Sequence, residues 1–322
     1  MLKSDRDRYT LMKYFTDTDM GLDIGEVNMA VEAAFSDHGR GLVEMPPKVY
    51  ITLPDGDFRT MPAYLPSLAI AGVKIVNVHT GNPEKGLPTV MALTVILDID
   101  TGQPTAVINA TRLTDMRTGA AGAIAAKYLS AGKEIVLGVI GTGRQAEAQV
   151  TAISRELKIR KVKIWSRNPD HVRKFADRFM EFPLVAASLE NTCDCDVLVT
   201  TTPSRSPIIR SEWIHKGTHI NAIGADAPGK EELDPALLLR AQVFVDDPAQ
   251  AIHSGEINVP ISHGIYRATD IAGTLGEVVT GRKKREGPDA ITIFDSTGLA
   301  IQDLAIAKIA MKHGKTFDLP FP

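Results

Sequence analysis

The stretch that most constrains this chain is Gly138-Val139-Ile140-Gly141-Thr142-Gly143-Arg144-Gln145-Ala146. Before it runs Ile135-Val136-Leu137, a short apolar segment of the kind that makes a buried parallel strand. After it, residues 147–153 suit a helix. Strand, glycine turn and helix together turn a weak G-x-G-x-x-A match into a dinucleotide-binding reading. Gly141 permits the tight turn, Gly143 lets a pyrophosphate approach the backbone, and Ala146 lets the helix pack close to the strand. Free N–H groups and the dipole at the helix start favour the phosphate charge. An ordinary strand-to-helix turn that binds nothing is the plainer alternative, and the flanking strand and helix weigh against it.

From that turn onward strands and helices alternate: strand 135–140, helix 144–157, strand 161–165, helix 169–180, then strands at 196–201, 218–223 and 242–245. This alternation predicts an α/β fold, a Rossmann-type doubly wound parallel sheet. The first third reads differently. A helix is expected over 17–38, capped by Asp17 or Asp19, with Ile24, Val27, Ala30, Val31, Ala34 and Phe35 as its apolar stripe. Strands follow at 48–53 and 58–64 around a 54–57 turn, then at 69–78, 90–97 and 105–110, a pattern rich in antiparallel signals. A small-residue helix, 118–130, leads into the glycine-turn domain, and a last helix, 299–313, follows a strand at 290–294. That helix is expected to return to the first domain.

With 322 residues the chain can build two domains, each with its own core. Its 44% hydrophobic and 23% charged residues are those of a soluble globular protein, and no apolar run is long enough to span a bilayer. The charged start, residues 1–8, lacks the apolar core of a signal peptide, so a cytoplasmic location is expected. A net charge of −3 gives no reason to expect nucleic acid as a partner. Cys193 and Cys195 are read at i, i+2 in a strand, on opposite faces, as two reduced thiols rather than a disulfide. No second ligand pair accompanies them, so no metal site is expected.

A Rossmann domain usually ends its second strand with Asp or Glu, which binds the ribose 2′-OH of NAD. Here residues 161–165 end in Ser166-Arg167-Asn168, with no carboxylate. Ser166 can hydrogen-bond a 2′-phosphate and Arg167 can pair with it. That favours NADP(H) over NAD(H). The alternative is a solvated Arg167 and an enzyme that takes either cofactor.

Several polar residues sit where apolar elements do not need them. Arg59 lies inside Phe58-Arg59-Thr60-Met61-Pro62, Lys74 inside Gly72-Val73-Lys74-Ile75-Val76, and Arg117 just before the small-residue helix. Any of these cations would suit a substrate carboxylate, and a lysine also polarises a carbonyl or imine. Asp226 stands just past the strand at 218–223, at the end where open α/β sheets bind ligands, and could move protons there. Taken singly, each such residue is more often a structural ion pair or a solvated side chain.

Together with the segments Met45-Pro46-Pro47-Lys48-Val49-Tyr50, Arg59-Thr60-Met61-Pro62-Ala63, residues 81–89, Arg117-Thr118-Gly119, residues 221–230 and Phe294-Asp295-Ser296-Thr297-Gly298, the chain resembles the ornithine cyclodeaminase/mu-crystallin family. It resembles most closely the archaeal-type alanine dehydrogenase branch. The resemblance implies a homodimer, with a smaller α+β substrate-binding and dimerisation domain (1–116 with 298–322) and a Rossmann domain (117–297). It implies that Lys48, Lys74 and Arg117 hold the substrate carboxylate; Arg59, read above as a suitable cation, is also expected to bind substrate. Lys74 and Asp226 are the implied catalytic pair. Cofactor contacts are implied at Thr118, Gly141, Thr142, Gly143, Arg144, Gln145, Ser166, Arg167, Asn168, Thr201, Ile223, Gly224, Ser296 and Thr297.

Ornithine cyclodeaminases carry a glutamate just before the Met-Pro pair, where this chain has Arg59-Thr60. An arginine there would repel a substrate's distal ammonium. The expected activity is therefore reversible NAD(P)-dependent oxidative deamination of a small L-amino acid, alanine first. Reduction of a cyclic imino acid such as pyrroline-2-carboxylate is the alternative, and ornithine cyclodeamination comes third. Ser166-Arg167-Asn168 resembles the NADPH-linked ketimine reductases of the family, whereas its NAD-linked members tend to carry aspartate there.

Overall fold

The computed structural model describes residues 10–16 and 21–321. Asp17 and Asp19, expected as helix caps, lie outside the described residues, as does the charged run 1–8. Backbone contacts divide the chain into two compact units, Met1–Arg117 with Leu299–Pro322, and Thr118–Gly298.

The first unit opens with β1 (Thr10–Phe15) and α1 (Ile24–Gly39). The α1 helix starts with its apolar stripe at Ile24 rather than at the expected residue 17, because Asp23 caps it: its side chain accepts from the Glu26 N–H at 3.2 Å. Val27, Val31, Ala34 and Phe35 form its buried face. Five strands follow: β2 (Val49–Leu53), β3 (Gly56–Leu65), β4 (Ile70–Val78), β5 (Val90–Leu97) and β6 (Pro104–Asn109). They pair antiparallel in chain order. Then α2 (Thr111–Leu129) runs from the first unit into the second. It begins seven residues before the expected small-residue stretch, since Thr111–Arg117 continue its first turns.

The second unit holds the glycine turn between β7 (Glu134–Ile140) and α3 (Arg144–Glu156). Next come β8 (Lys158–Trp165), α4 (Pro169–Ala176), β9 (Leu184–Ala186), α5 (Leu189–Cys193), β10 (Val197–Thr200), β11 (Arg205–Ile209) and β12 (His219–Ala222). After them lie β13 (Glu231–Leu233), α6 (Pro235–Leu238), β14 (Ala241–Val245), α7 (Pro248–Ser254), α8 (Asn258–Ser262), β15 (Gly273–Thr274), α9 (Leu275–Val279) and β16 (Ile291–Asp295). Eight strands make one parallel sheet in the order β15-β14-β16-β12-β10-β7-β8-β9. The order reverses direction between β7 and β10, which opens a crevice at their carboxyl ends. The fold is the α/β doubly wound sheet with a second, mainly antiparallel sheet.

Cys193 closes α5 and Cys195 follows it, so the two are not strand neighbours as the sequence suggested. Both are free thiols, and burial pushes both pKa values up, that of Cys193 to about 12.

The chain then returns to the first unit with α10 (Ala300–Ala310) and β17 (Thr316–Phe321). The first sheet thus runs β17-β1-β6-β5-β4-β3-β2, with β1 parallel to β6 and β17 added antiparallel at the edge. One face of this sheet, with Met61, Lys74, Val76, Ala92, Thr94 and Ile108, is buried, and α10 packs on β3, β4 and β5 and against α1. Ile301, Leu304, Ala305, Ile306 and Ala307 of α10 are at most 1% exposed. Burying each large aliphatic side chain stabilises the fold by about 1.5–3 kcal/mol. The other face leaves Val49, Ile51, Ile75 and Leu93 exposed, aligned by the register Val49↔Thr60↔Ile75↔Leu93.

Candidate active site

In the first unit the strand period of two decides where Lys74 points. Lys74 pairs with Met61 of β3 and Thr94 of β5, and all three are buried on the covered face. Its side chain is 0% exposed, and its Nζ donates to Asp303 Oδ1 at 2.6 Å. Arg117, on α2, donates its Nε to the same oxygen at 3.1 Å and its Nη1 to Gln302 Oε1 at 3.0 Å. Burial lowers the Lys74 pKa from 10.5 to about 7. The Arg117 charge, and to a smaller extent that of Lys48, pushes the same way, while Asp303 opposes both. Two cations share one carboxylate here, so the trio carries a net positive charge whenever Lys74 is protonated. Asp303 Oδ2, Gln302 Nε2 and Thr94 Oγ1 are buried with no hydrogen-bond partner among the described residues.

Lys48 is buried, with its Nζ 5.6 Å from the centre of the Tyr50 ring. Arg59 lies on the same ring at 5.0 Å and is held by Asp57 in a two-pronged contact, Nε to Oδ1 at 2.8 Å and Nη2 to Oδ2 at 3.1 Å. Lys74 and Arg117 therefore converge directly, and Lys48 acts on Lys74 through its charge. Arg59 shares the Tyr50 ring with Lys48 and is paired with Asp57.

In the second unit the residues singled out at strand ends line the carboxyl edge of the parallel sheet. Gly141 has φ +106° and accepts no side chain: an added Cβ would lie 2.4 Å from Thr201 Oγ1. Gly143 is the N-cap of α3 with no side-chain cap, and nothing lies within 4 Å of where its Cβ would be. A helix start with no side-chain cap and open space before it fits a diphosphate. Ala146 is fully buried, which brings α3 close to the sheet. Arg144 is exposed and Gln145 half-buried in the first turn of α3. Thr118 is buried on α2, and its carbonyl accepts from Gln149 Nε2 at 2.8 Å.

Thr142 and Ser166 hydroxyls stand 3.4 Å apart. Arg167 is exposed, and Asn168 caps α4 by accepting from the Asp170 N–H at 2.9 Å. Thr201 and Ile223 continue β10 and β12 through backbone bonds to Ile140 and Thr200. Ser296 and Thr297 follow β16. Asp246 fixes that loop by accepting from the Thr297 N–H at 2.7 Å and the Gly298 N–H at 2.6 Å. Asp226, with a third of its side chain exposed, accepts from Lys230 Nζ at 2.6 Å.

Three carboxylates outside every motif organise these groups. Asp303 gathers Lys74 and Arg117. Glu232 is buried and ties two loops together, accepting from Thr202 N–H at 2.6 Å, Gly224 N–H at 2.9 Å and the Thr200 and Thr202 hydroxyls at 2.7 Å. Burial pushes its carboxyl above the ordinary range and these donors pull against that. Asp246 holds the 297–298 turn. Only Asp303 carried a sequence signal, a lone acid inside an apolar segment, since Glu232 and Asp246 each stand beside another acid. Among the described residues no cluster of His, Cys, Asp or Glu is arranged to hold a metal ion, and no helix is long and apolar enough to cross a membrane.

The chain is 50% identical over 296 residues to an alanine dehydrogenase of Archaeoglobus fulgidus, covering 91% of each sequence. Its fold is similar to that of an archaeal alanine dehydrogenase dimer with bound NAD, with a TM-score of 0.92, 46% identity, and coverage of 96% of this chain and 99% of that one. It is also similar to Thermococcus litoralis Δ1-pyrroline-2-carboxylate reductase in complex with NADH and L-proline. There the TM-score is 0.91, with 32% identity and coverage of 96% and 100%. The ornithine cyclodeaminase/mu-crystallin family model matches residues 8–315. The glycine turn, the parallel sheet and this near-complete match agree, and the chain belongs to the ornithine cyclodeaminase/mu-crystallin family.

Proposed function

We propose that this chain, an oxidoreductase by family, interconverts L-alanine with pyruvate and ammonia through the 2-imino acid. The observation that carries the reading is the buried Lys74–Asp303–Arg117 group with the charge of Lys48 acting on it: even with Lys74 neutral, two cations stand against one carboxylate, which suits one substrate carboxylate. A nicotinamide dinucleotide held at the glycine turn would supply the hydride acceptor for the Cα hydrogen and its electron pair, so that the substrate becomes the 2-imino acid. Arg117 and Lys48 hold the carboxylate. Lys74, with a pKa near 7, takes a proton from the substrate ammonium before oxidation and returns one in reduction. Asp226 accepts a proton from the water that adds to the imine, and Lys230 keeps its carboxylate oriented. Loss of ammonia from that adduct yields pyruvate.

The cofactor fits the uncapped α3 start and the open space at Gly143. Thr118, Thr142, Arg144 and Gln145 are the proposed diphosphate contacts, and Thr201, Ile223, Gly224, Ser296 and Thr297 the nicotinamide side. Ser166 and exposed Arg167, with no carboxylate beside them, support NADP(H) as the preferred form, with NAD(H), named on the solved relatives, as the alternative. Asn168, whose side chain caps α4, is a further proposed cofactor contact beside them.

The exposed apolar face with Val49, Ile51, Ile75 and Leu93 supports a homodimer, the assembly named for the similar archaeal dehydrogenase. A second reading, reduction of a cyclic 2-carboxy imine, is favoured by the likeness to the proline-bound reductase. It uses the same residues but needs no ammonia. Ornithine cyclodeamination comes third, because Arg59, proposed to lie at the substrate, would repel a distal ammonium to the extent that Asp57 leaves its charge uncompensated. A spectrophotometric panel decides: NADPH and NADH, each with pyruvate plus ammonium and with pyrroline-2-carboxylate. Ammonium-dependent oxidation with pyruvate supports the first reading, and turnover of the cyclic imine alone supports the second.

A further inference from the structure

Asp303 stands in a helix that otherwise has no use for a carboxylate. Its neighbours Ile301, Leu304, Ala305, Ile306 and Ala307 are at most 1% exposed, and Asp303 itself is 4% exposed. Oδ1 takes both cationic donors, Lys74 Nζ at 2.6 Å and Arg117 Nε at 3.1 Å, while Oδ2 has no partner among the described residues. A carboxylate offers about four acceptor positions, and buried acceptors are normally satisfied. The two other orphaned atoms belong to direct neighbours of the same cations. Thr94 pairs with Lys74 across the sheet, and Gln302 holds Arg117. The set is thus one orphan acceptor, Oδ2, together with two groups able to donate, the Thr94 hydroxyl and the Gln302 amide. A 2-amino acid or 2-imino acid presents the complement, N–H donors and a carboxylate acceptor on one carbon.

We propose that Asp303 is the positioning residue of the substrate site, fixing Lys74 and Arg117 on Oδ1 and presenting Oδ2 to the substrate's amino or imino N–H. The proposal rests on the amino-acid dehydrogenase reading. It assigns recognition of the nitrogen to Asp303, and of the carboxylate to the cations with Gln302 and Thr94 beside them. The charged groups facing Lys74 are Asp303 from α10, Arg117 from α2 and Lys48 from the segment before β2, and only Asp303 favours the ammonium.

The test uses the full chain and D303N, with D303E as the conservative variant. Lysine labelled with 13C at Cε reports the Lys74 titration by NMR, and K74R identifies its resonance. Loss of an opposite charge at this distance moves a pKa by about 1–3 units, so the Lys74 midpoint in D303N should fall by at least about one pH unit. D303E should restore it. In turnover, the pH limb of kcat/KM should move to lower pH by the same amount. The KM for L-alanine should rise about tenfold or more, as for the loss of a hydrogen bond to a charged group. The inhibition constant of propionate, which has the carboxylate but no nitrogen, should hold within about twofold. An unmoved Lys74 midpoint overturns the proposal, as does equal weakening of alanine and propionate. If wild type turns over neither amino acid nor cyclic imine, the functional reading fails. The NMR titration then still decides whether Asp303 controls Lys74.

Discussion

Lys74 and Asp303, 229 residues apart in sequence, meet at 2.6 Å with both side chains closed off from solvent. The strand presents the lysine on the covered face of the first sheet, and the returning helix α10 brings the carboxylate to it. A buried ammonium with a single carboxylate partner that it shares with an arginine is poised between its two protonation states. This is the property a proton-transferring lysine needs near neutral pH.

Lys74→Met should abolish turnover while the protein still folds and binds cofactor. Methionine fills the site without a proton to give or an ammonium to hold a carboxylate. Retention of more than about a tenth of wild-type kcat, a loss of only about 1.4 kcal/mol, would exclude a chemical role for Lys74. Fluorescence titration with the reduced cofactor checks that binding survives.

The Lys74 pKa of about 7 fixes the sign of the pH dependence. Oxidation of alanine needs Lys74 neutral, so kcat/KM in that direction should rise as pH rises through about 7. Reduction needs it protonated, so kcat/KM for the imine should fall over the same window. Profiles measured in both directions with one enzyme preparation check this. Limbs of the same sign in both directions would remove Lys74 as the titrating group.

Asp226→Asn should lower kcat far more than it weakens cofactor binding. The carboxylate lies just past the end of β12 with a third of its side chain open to solvent, and Lys230 orients one oxygen. An amide keeps the shape and cannot take the proton. An unchanged pH–rate profile in the mutant would make the Asp226–Lys230 pair a structural contact only.

The end of β8 is the proposed determinant of cofactor choice. Wild type should have the higher kcat/KM with NADPH, since a guanidinium contact to the 2′-phosphate is charge-assisted. Ser166→Asp with Arg167→Ala should shift the preference toward NADH by about tenfold or more, through loss of that contact and repulsion of the phosphate. Wild-type kcat/KM for NADH equal to or above that for NADPH would reduce Arg167 to a solvated side chain.

Much of this architecture could be read from local pattern. The β7–α3 turn was legible because three small residues at fixed spacing have a geometric purpose there. Lys74 was legible because a lone cation in an apolar strand needs an explanation. Asp303 was not, although Asp303 in Ala300-Ile301-Gln302-Asp303-Leu304 is the same signal. Its meaning lies in a contact across 229 positions, and no local pattern encodes the partner. Strand β17 is hard to read locally, since Pro320 argues against a strand, and the structure places it at the sheet edge where a missing N–H costs little. The short strands β9, β13 and β15 span three residues or fewer, too few to show a period. Glu232 and Asp246 resemble ordinary surface acids in sequence, and only the loops folded around them show that they are buried.

The most direct test of the central claim follows the Cα hydrogen. L-Alanine carrying deuterium at Cα is incubated with the enzyme and oxidised cofactor, and the reduced nicotinamide is examined by mass spectrometry and NMR. The account predicts one deuterium at the nicotinamide C4, pyruvate and ammonium in equal amounts, and slower turnover than with unlabelled alanine. Deuterium released to water or kept in the product, or no reduced cofactor formed, would contradict it.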